Sequence, residues 1–215
     1  MTVSEINTEK GNHTKDNQDV ISISKNGNTH LYAIMDGISG KAKSGSFARK
    51  MGELLKDKIS KSTRRQLSPK FIRIHILTIL EDSREEIKFD YCAAGMSIAI
   101  IVVIEKKVAL LMHVGDCGIG LLQPDGQVKW ITVPHTLLGI PIPNLINKPY
   151  RYILKRAFRA KEKAELDWVV RPFNGRDCYV LATDGWWDTT NRLLKSSCSS
   201  KDDASMIKIQ KSKSR

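Results

Sequence analysis

From Met96 to Val114 the chain reads MSIAIIVVI, then EKK, then VALLMHV. Two runs rich in Ile, Val and Leu have the composition and length of β-strands. The three charged residues between them can turn the chain back on itself. They cannot carry it across to a parallel neighbour, which takes a crossover of a dozen residues or more. The two runs therefore pair antiparallel, and the same constraint recurs along the chain. DVISIS (Asp19 to Ser24) alternates apolar and polar residues, Lys25-Asn26-Gly27-Asn28 supplies turn chemistry, and LYAIM (Leu31 to Met35) returns as the second strand of a hairpin. Gly118 to Leu122 is expected to continue the sheet. After the turn signal Pro124-Asp125-Gly126, Val128 to Ile131 comes back as a further strand. Leu166 to Phe173 and Cys178 to Thr183 read as another hairpin around Asn174-Gly175, and Ser205 to Ile209 as a last strand before a basic tail at about 210–215.

Helical spacing interrupts this pattern twice. Ala48, Met51, Leu55 and Ile59 recur with Lys and Asp between them, which predicts an amphipathic helix from Ser44. Ser68-Pro69 places a hydroxyl cap before a proline at the first helical position, and a stripe of Ile72, His75 or Ile76, and Ile79 follows. In that setting His75 is a packed helix residue. Shorter helices are expected at Tyr150 to Ala160 and Trp187 to Lys195, a proline-rich loop at Pro134 to Lys148, and a polar start at about 1–12. The class that results is mixed α and β with antiparallel sheets, not a doubly wound fold. No internal repeat or linker divides it, so residues 1–215 read as a single domain.

Composition excludes several functions. An apolar share of 41% is enough for a core. The longest apolar candidate, Ser97 to Ile104, is stopped by Glu105-Lys106-Lys107, far short of the roughly 20 residues a spanning helix needs. MTVSEINTEKGNH has no hydrophobic signal region, so a cytoplasmic protein is expected. Cys92, Cys117, Cys178 and Cys198 form no CxxC pair and read as reduced cysteines that fill space. The five histidines are scattered, which argues against zinc chemistry. The net charge of +12 would attract phosphorylated partners. It is spread along the chain without interleaved aromatics, so a solvated basic surface is the reading and no nucleic-acid site is expected.

Aspartates stand at the ends of the apolar runs. LYAIMDG ends in Asp36-Gly37, ALLMHVGD in Gly115-Asp116 and CYVLATDG in Asp184-Gly185; Asp19 opens the first strand and Asp202-Asp203 precedes the last. One Asp-Gly alone is a turn signal. Several at strand ends are different, because neighbouring strands bring their ends together, and clustered carboxylates are costly to bury unless a cation neutralises them. Oxygen ligands without His or Cys favour a hard ion, Mg²⁺ or Mn²⁺. Two such ions about 3.5–4 Å apart can activate a water and hold a phosphoryl oxygen.

NQD (Asn17 to Asp19), DGISG (Asp36 to Gly40), AAGMS (Ala93 to Ser97), HVGD (His113 to Asp116), ITVPHTL (Ile131 to Leu137), ATDGWWD (Ala182 to Asp188) and DDAS (Asp202 to Ser205) occur in the order of the PP2C-like, metal-dependent Ser/Thr protein phosphatases. The resemblance spans Gly11 to Ile209 and points to a compact bacterial-type member. It implies an α+β, αββα four-layer sandwich with two mainly antiparallel sheets flanked by helices, and a two-metal centre at one edge. It further implies that Asp36 bridges two metals and the Gly37 carbonyl binds one of them. Asp184 and Asp202 complete the other shell, Asp19 holds metal-bound water, and Asp116 with Asp184 serves a third ion. The implied reaction is attack on phosphoserine or phosphothreonine by a metal-bridging water, without a phospho-enzyme. The implied partners are a phosphoprotein substrate and a cognate Ser/Thr kinase, and the expected state is a monomer. Where the family carries a phosphate-clamping arginine, this chain has Thr14 with Lys15 beside it, and Lys15, Lys41 and Lys43 are the candidate replacements. Ser39 replaces a glycine, Gln18 a glutamate, and Asp184 and Asp202 are only 18 positions apart. These departures raise an alternative, a catalytically weak phosphoprotein-binding or regulatory module. His135 reads as a structural hydrogen-bonding residue, and Trp186 and Trp187 as packing residues after a strand.

Overall fold

The strand at Gly95–Ile104 is buried along its whole length, which accounts for its unbroken apolar run: both faces are covered. The computed structural model of the chain describes residues 2–12, 15–62, 68–137, 153–174, 176–190 and 202–210. Numbered in chain order, the strands are β1 (Thr2–Glu9), β2 (Asp19–Asn26), β3 (Thr29–Gly37), β4 (Gly95–Ile104), β5 (Val108–Val114), β6 (Gly118–Leu122), β7 (Val128–Trp130), β8 (Phe158–Arg159), β9 (Asp167–Pro172), β10 (Cys178–Ala182) and β11 (Ala204–Gln210). The helices are α1 (Ser44–Ser60), α2 (Pro69–Ile87) and α3 (Asp184–Thr190). One sheet has the order β2-β3-β4-β5-β9, with β8 beside the start of β4, and the other β1-β11-β10-β6-β7. The strand pairs are antiparallel, as the short connections require.

Alternation along the strands builds the layers. Leu31, Ala33 and Met35 of β3 join Ile98, Ile100 and Val102 of β4 under α1 and α2, where Phe47, Met51, Leu55, Ile76 and Leu80 meet them. The residues between them, Tyr32, Ile34, Ala99, Ile101 and Val103, face the second sheet and pack on Ile119, Tyr179, Leu181, Ile207 and Ile209. On the far face of that sheet, Trp187 of α3 covers Val180, Ala182 and Met206. The order helix, sheet, sheet, helix is the four-layer α+β sandwich expected. The β4–β5 link takes positive φ at Glu105 (50°) and Lys106 (57°), the backbone twist that suits a tight hairpin.

Several sequence expectations are corrected. Gly118–Leu122 does not extend the sheet of β5; β6 crosses to the other sheet and pairs with β10. The strands β9 and β10 are not a hairpin: β9 pairs with β5 and β10 with β6 and β11. Asn174 turns the chain between sheets, its side-chain oxygen accepting from the N–H groups of Arg176 and Asp177. Residues 153–160 are not helical, because neighbouring strands and loops take their backbone groups. Lys155 N–H donates to the His135 carbonyl, Ala160 N–H donates to the Ala94 carbonyl, and β8 pairs with β4. The N-terminal stretch supplies β1, which pairs with β11; its described side chains are exposed, so no apolar period marked it. The stripe of α2 uses Ile76, while His75 bonds the Ser62 hydroxyl at 2.9 Å. Ser68 precedes Pro69 as predicted but makes no side-chain cap bond. Helix α3 starts at Asp184, ahead of Trp187. Most of the Pro134–Lys148 loop, the 191–195 part of the last helix, Cys198 and the basic tail lie outside the described residues.

Candidate functional site

Register brings the first two carboxylates together. In the β2–β3 hairpin Asp19 lies directly opposite Asp36, and across the β3–β4 pair Asp36 lies opposite Ser97. Ser97 in turn donates from Oγ to Asp116 Oδ1 at 2.6 Å and accepts from the Asp116 N–H. From the other sheet, Thr183 at the end of β10 donates its hydroxyl to Asp19 Oδ2 at 2.9 Å and accepts from the Ser205 N–H at 2.9 Å. That bond ties the two sheets together at their Asp19 end and sets Asp184, the next residue, at the start of α3.

Electrostatics show which carboxylates meet. The Asp36 carboxyl is pushed well above the ordinary carboxylate range, by burial first and then by Asp19, Asp184, Asp116 and Asp202. Asp184 is pushed up by burial, then Asp116, Asp202 and Asp19. Burial likewise raises Asp116. Asp19 is raised from 3.8 to about 7, again mainly by burial, against the lowering effect of the Ser205 and Thr183 hydroxyls. Five carboxylates from two sheets thus sense one another, the situation a cation resolves. Among the described residues, Asp19 Oδ1 and Asp184 Oδ1 are buried without a hydrogen-bond partner. Two orphaned anionic oxygens in one cluster fit an oxygen-ligand site for a hard cation.

Glycines let the elements close on this cluster. A Cβ on Gly37 would lie 2.6 Å from the Gly45 nitrogen, so α1 could not start where it does. A Cβ on Gly185 would lie 2.0 Å from the Asp203 carbonyl oxygen, and the entry to β11 would be blocked. Asp203 itself is structural: its Oδ1 accepts from Gly11 N–H at 2.8 Å and its Oδ2 from Gln18 N–H at 2.7 Å, pinning the N-terminal segment beside β2. Asp202, half-buried, is left to face the cluster.

Asp19, Asp36, Asp116, Asp184 and Asp202, with Gly37, are therefore brought to one place. Thr14 lies outside the described residues, and Lys15 is exposed on the surface. Lys43 is engaged elsewhere, donating to the Asp90 carbonyl and lying over the Tyr91 ring. Arg49 of α1 donates to the Asn17 carbonyl at 3.4 Å, next to Asp19. Reading the sequence did not find Arg49, Thr183 or the separate duty of Asp203; only the quoted ATDG and DDAS stretches contained a signal for the last two.

A tighter group of ligand-type atoms lies on the other side of Asp116. Side-chain atoms of His113, His135 and Asp167 are within 4.8 Å of one another. Among the described residues His113 Nδ1 is buried without a partner, but the bonding of His135 and Asp167 argues against a metal. Gly115 N–H donates to His135 Nδ1 at 3.1 Å, which leaves the ring proton on Nε2, donating to Asp167 Oδ2 at 2.9 Å. Arg156 Nη1 donates to the other oxygen, Oδ1, at 2.9 Å. A metal on Nε2 would have to remove a proton and an arginine together. The group is instead a clamp on Gly115, whose φ of 95° turns the chain into Asp116. His135 thus has the structural role expected of it. Trp187 also packs as expected, and its indole N–H donates to the Asp116 carbonyl at 3.2 Å.

Comparison with known proteins bears on the family and the fold. The family described as Protein phosphatase 2C matches residues 10–206. The serine/threonine phosphatase stp of Listeria monocytogenes is 25% identical over 195 residues, covering 84% of this chain and 76% of that protein. The crystal structure of serine/threonine phosphatase Stp1 from Staphylococcus aureus superposes with a TM-score of 0.79 at 19% identity, covering 99% of this chain and 96% of that one. The Mycobacterium tuberculosis serine/threonine phosphatase PstP/Ppp superposes with a TM-score of 0.71 at 18% identity, covering 95% and 96%. At those identities the structures speak for the fold.

Proposed function

We propose that this chain, which belongs to the protein phosphatase 2C family, removes phosphate from phosphoserine and phosphothreonine in proteins through the carboxylate cluster at the Asp19–Asp36 end of its sandwich. It is a metal-dependent serine/threonine protein phosphatase. The observation that carries the site assignment is the pair of buried, unpartnered oxygens on Asp19 and Asp184 within a group of carboxylates that raise one another's pKa.

Asp36, the Gly37 carbonyl, Asp184 and Asp202 would hold two cations, Mn²⁺ or Mg²⁺ by their all-oxygen chemistry, and Asp116 would serve a third. When bound, such ions withdraw charge from a phosphoryl oxygen and acidify water, so that hydrolysis needs no enzyme nucleophile. The protein's own part is positioning. Asp19 keeps Oδ1 free to accept from water while Thr183 fixes Oδ2. Ser97 and Trp187 hold Asp116 by side chain and by carbonyl. Lys15 and Thr14 are assigned to the substrate phosphate, where a lysine supplies charge without the bidentate fork of an arginine. The whole chain acts as one catalytic domain in the cytoplasm, on a phosphoprotein made by a serine/threonine kinase. Among the described residues no helix is long and apolar enough to cross a membrane.

Purified protein should hydrolyse p-nitrophenyl phosphate and phosphoserine peptides with Mn²⁺ and stop in EDTA. Asp36→Ala should abolish turnover with the fold intact by circular dichroism. Asp19→Asn should lower activity or metal affinity by about 10–100-fold, the usual cost of losing a carboxylate that orients a metal site. Mn²⁺-independent turnover, or full activity in Asp36→Ala, would refute the assignment.

A further inference from the structure

Sheet edges leave backbone groups unpaired, and proteins protect them by short strands, charge or cover. Among the described residues, three of the four edges follow that rule. Strand β7 has only three residues, β1 is polar (TVSEINTE), and α1 packs along β2. The fourth does not. All six residues of β9, DWVVRP, are exposed, and Trp168, Val169 and Val170 are 46%, 39% and 39% accessible.

The faces of this strand follow from its register with β5. Trp168 and Val170 lie opposite Met112 and Leu110, on the helix side. Arg73 of α2 stacks over the Trp168 ring at 4.5 Å. Asp167, Val169 and Arg171 lie opposite His113, Leu111 and Ala109, on the side between the sheets. A two-fold axis perpendicular to the sheet through Val169 would pair β9 antiparallel with its own copy and keep each face on its own side. Asp167 would then stand opposite the partner's Arg171, Trp168 opposite the partner's Val170, and Val169 opposite the partner's Val169. Opposite charges and aromatic–β-branched pairs directly across a strand pair are the favourable combinations. Pro172, which has no N–H, ends the ladder.

We propose that β9 is a homodimer interface, joining two copies of this chain edge to edge into one continuous sheet. The occupant is a second copy because the strand matches itself in one register: Trp168 meets Val170 and Val169 meets Val169, with Arg171 opposite an Asp167 that His135 and Arg156 already hold in place. This does not depend on the catalytic reading. A strand pair alone buries less than the about 1,200 Å² typical of specific complexes. The helix side therefore contributes as well. There the groove between α2 and β9, lined by Arg73, Leu77, Glu81, Lys163 and Trp168, opens next to the axis. Association is accordingly concentration-dependent.

Analytical ultracentrifugation of the full chain over a micromolar series should show a shift from the mass of one chain to that of two. Val169→Lys, which sets two lysines opposite each other across the axis, and Arg171→Glu, which faces the partner's Asp167, should each remain at half the wild-type mass with unchanged circular dichroism. In a Cys92→Ser background, Val169→Cys should form an intermolecular disulfide on mild oxidation. Val170→Cys, whose opposite residue is the partner's Trp168, should not. A wild-type chain that stays at the mass of one, a dimer that survives both charge variants, or equal cross-linking of the two cysteine variants would overturn the proposal.

Discussion

Asp19 divides its work between two oxygens: Oδ2 is fixed by the Thr183 hydroxyl and Oδ1 is left unpartnered in a buried cluster. Thr183→Val keeps the shape and removes the hydroxyl, taking one of two hydroxyl donors from Asp19 and the acceptor from the Ser205 N–H. We expect a loss of about 1–3 kcal/mol in urea unfolding. The raised pKa of Asp19 also fixes a pH dependence. In the unfolded chain this carboxyl ionises near 3.8, and in the metal-free fold near 7. Between those values the folded state holds the extra proton. The contribution of Asp19 is therefore full below 3.8, falls as pH rises, and is gone above about 7. In EDTA the unfolding midpoint of the wild type should fall more steeply across that window than that of Asp19→Asn; equal slopes would contradict it. The aspartates themselves could be read from the chain, because each ends or opens an apolar run. Thr183 could not, since a threonine before Asp-Gly acquires its meaning only from Asp19, 164 positions away.

Elements meet at the site with almost no clearance. Gly185 sits under the Asp203 carbonyl where α3 leaves β10, so Gly185→Ala must push β11 away from the cluster. A destabilisation of about 1–3 kcal/mol, the cost of overpacking, should appear in the denaturation midpoint, together with weaker metal binding by calorimetry. The strands whose apolar residues mark them, β2 to β7 and β9 to β11, were legible as strands in the chain, as were α1 and the start of α2. Those that follow a partner were not. β1 has a polar face to show and pairs only because β11 offers an edge. Residues 153–160 are rich in Lys and Arg at a spacing that suggests a helix, yet their N–H groups are taken by His135 and Ala94 carbonyls. β9 and β10 look like a hairpin because pairing partners leave no mark in a sequence.

At the scale of the molecule, the carboxylate cluster is a store of repulsion that metal relieves. On the proposed assignment a cation held by this cluster stabilises the folded state, so thermal stability should rise with Mn²⁺ concentration at neutral pH, and the rise should vanish in Asp36→Asn. A shift of equal size in that variant would place the metal elsewhere, for example on the His113 group. The chain by itself determined the class of fold and the chemistry of the site. Short links enforce antiparallel pairing, oxygen-only residues at strand ends favour a hard cation, and the ordered motifs carry the resemblance that implies a phosphoryl substrate. Only the tertiary structure decided which sheet each strand joins and which carboxylates meet. It also separated Asp202, which faces the cluster, from Asp203, which holds the backbone of Gly11 and Gln18, and among the described residues left one apolar strand edge uncovered. Those outcomes depend on contacts between residues far apart in the chain, and local periodicity carries no information about them.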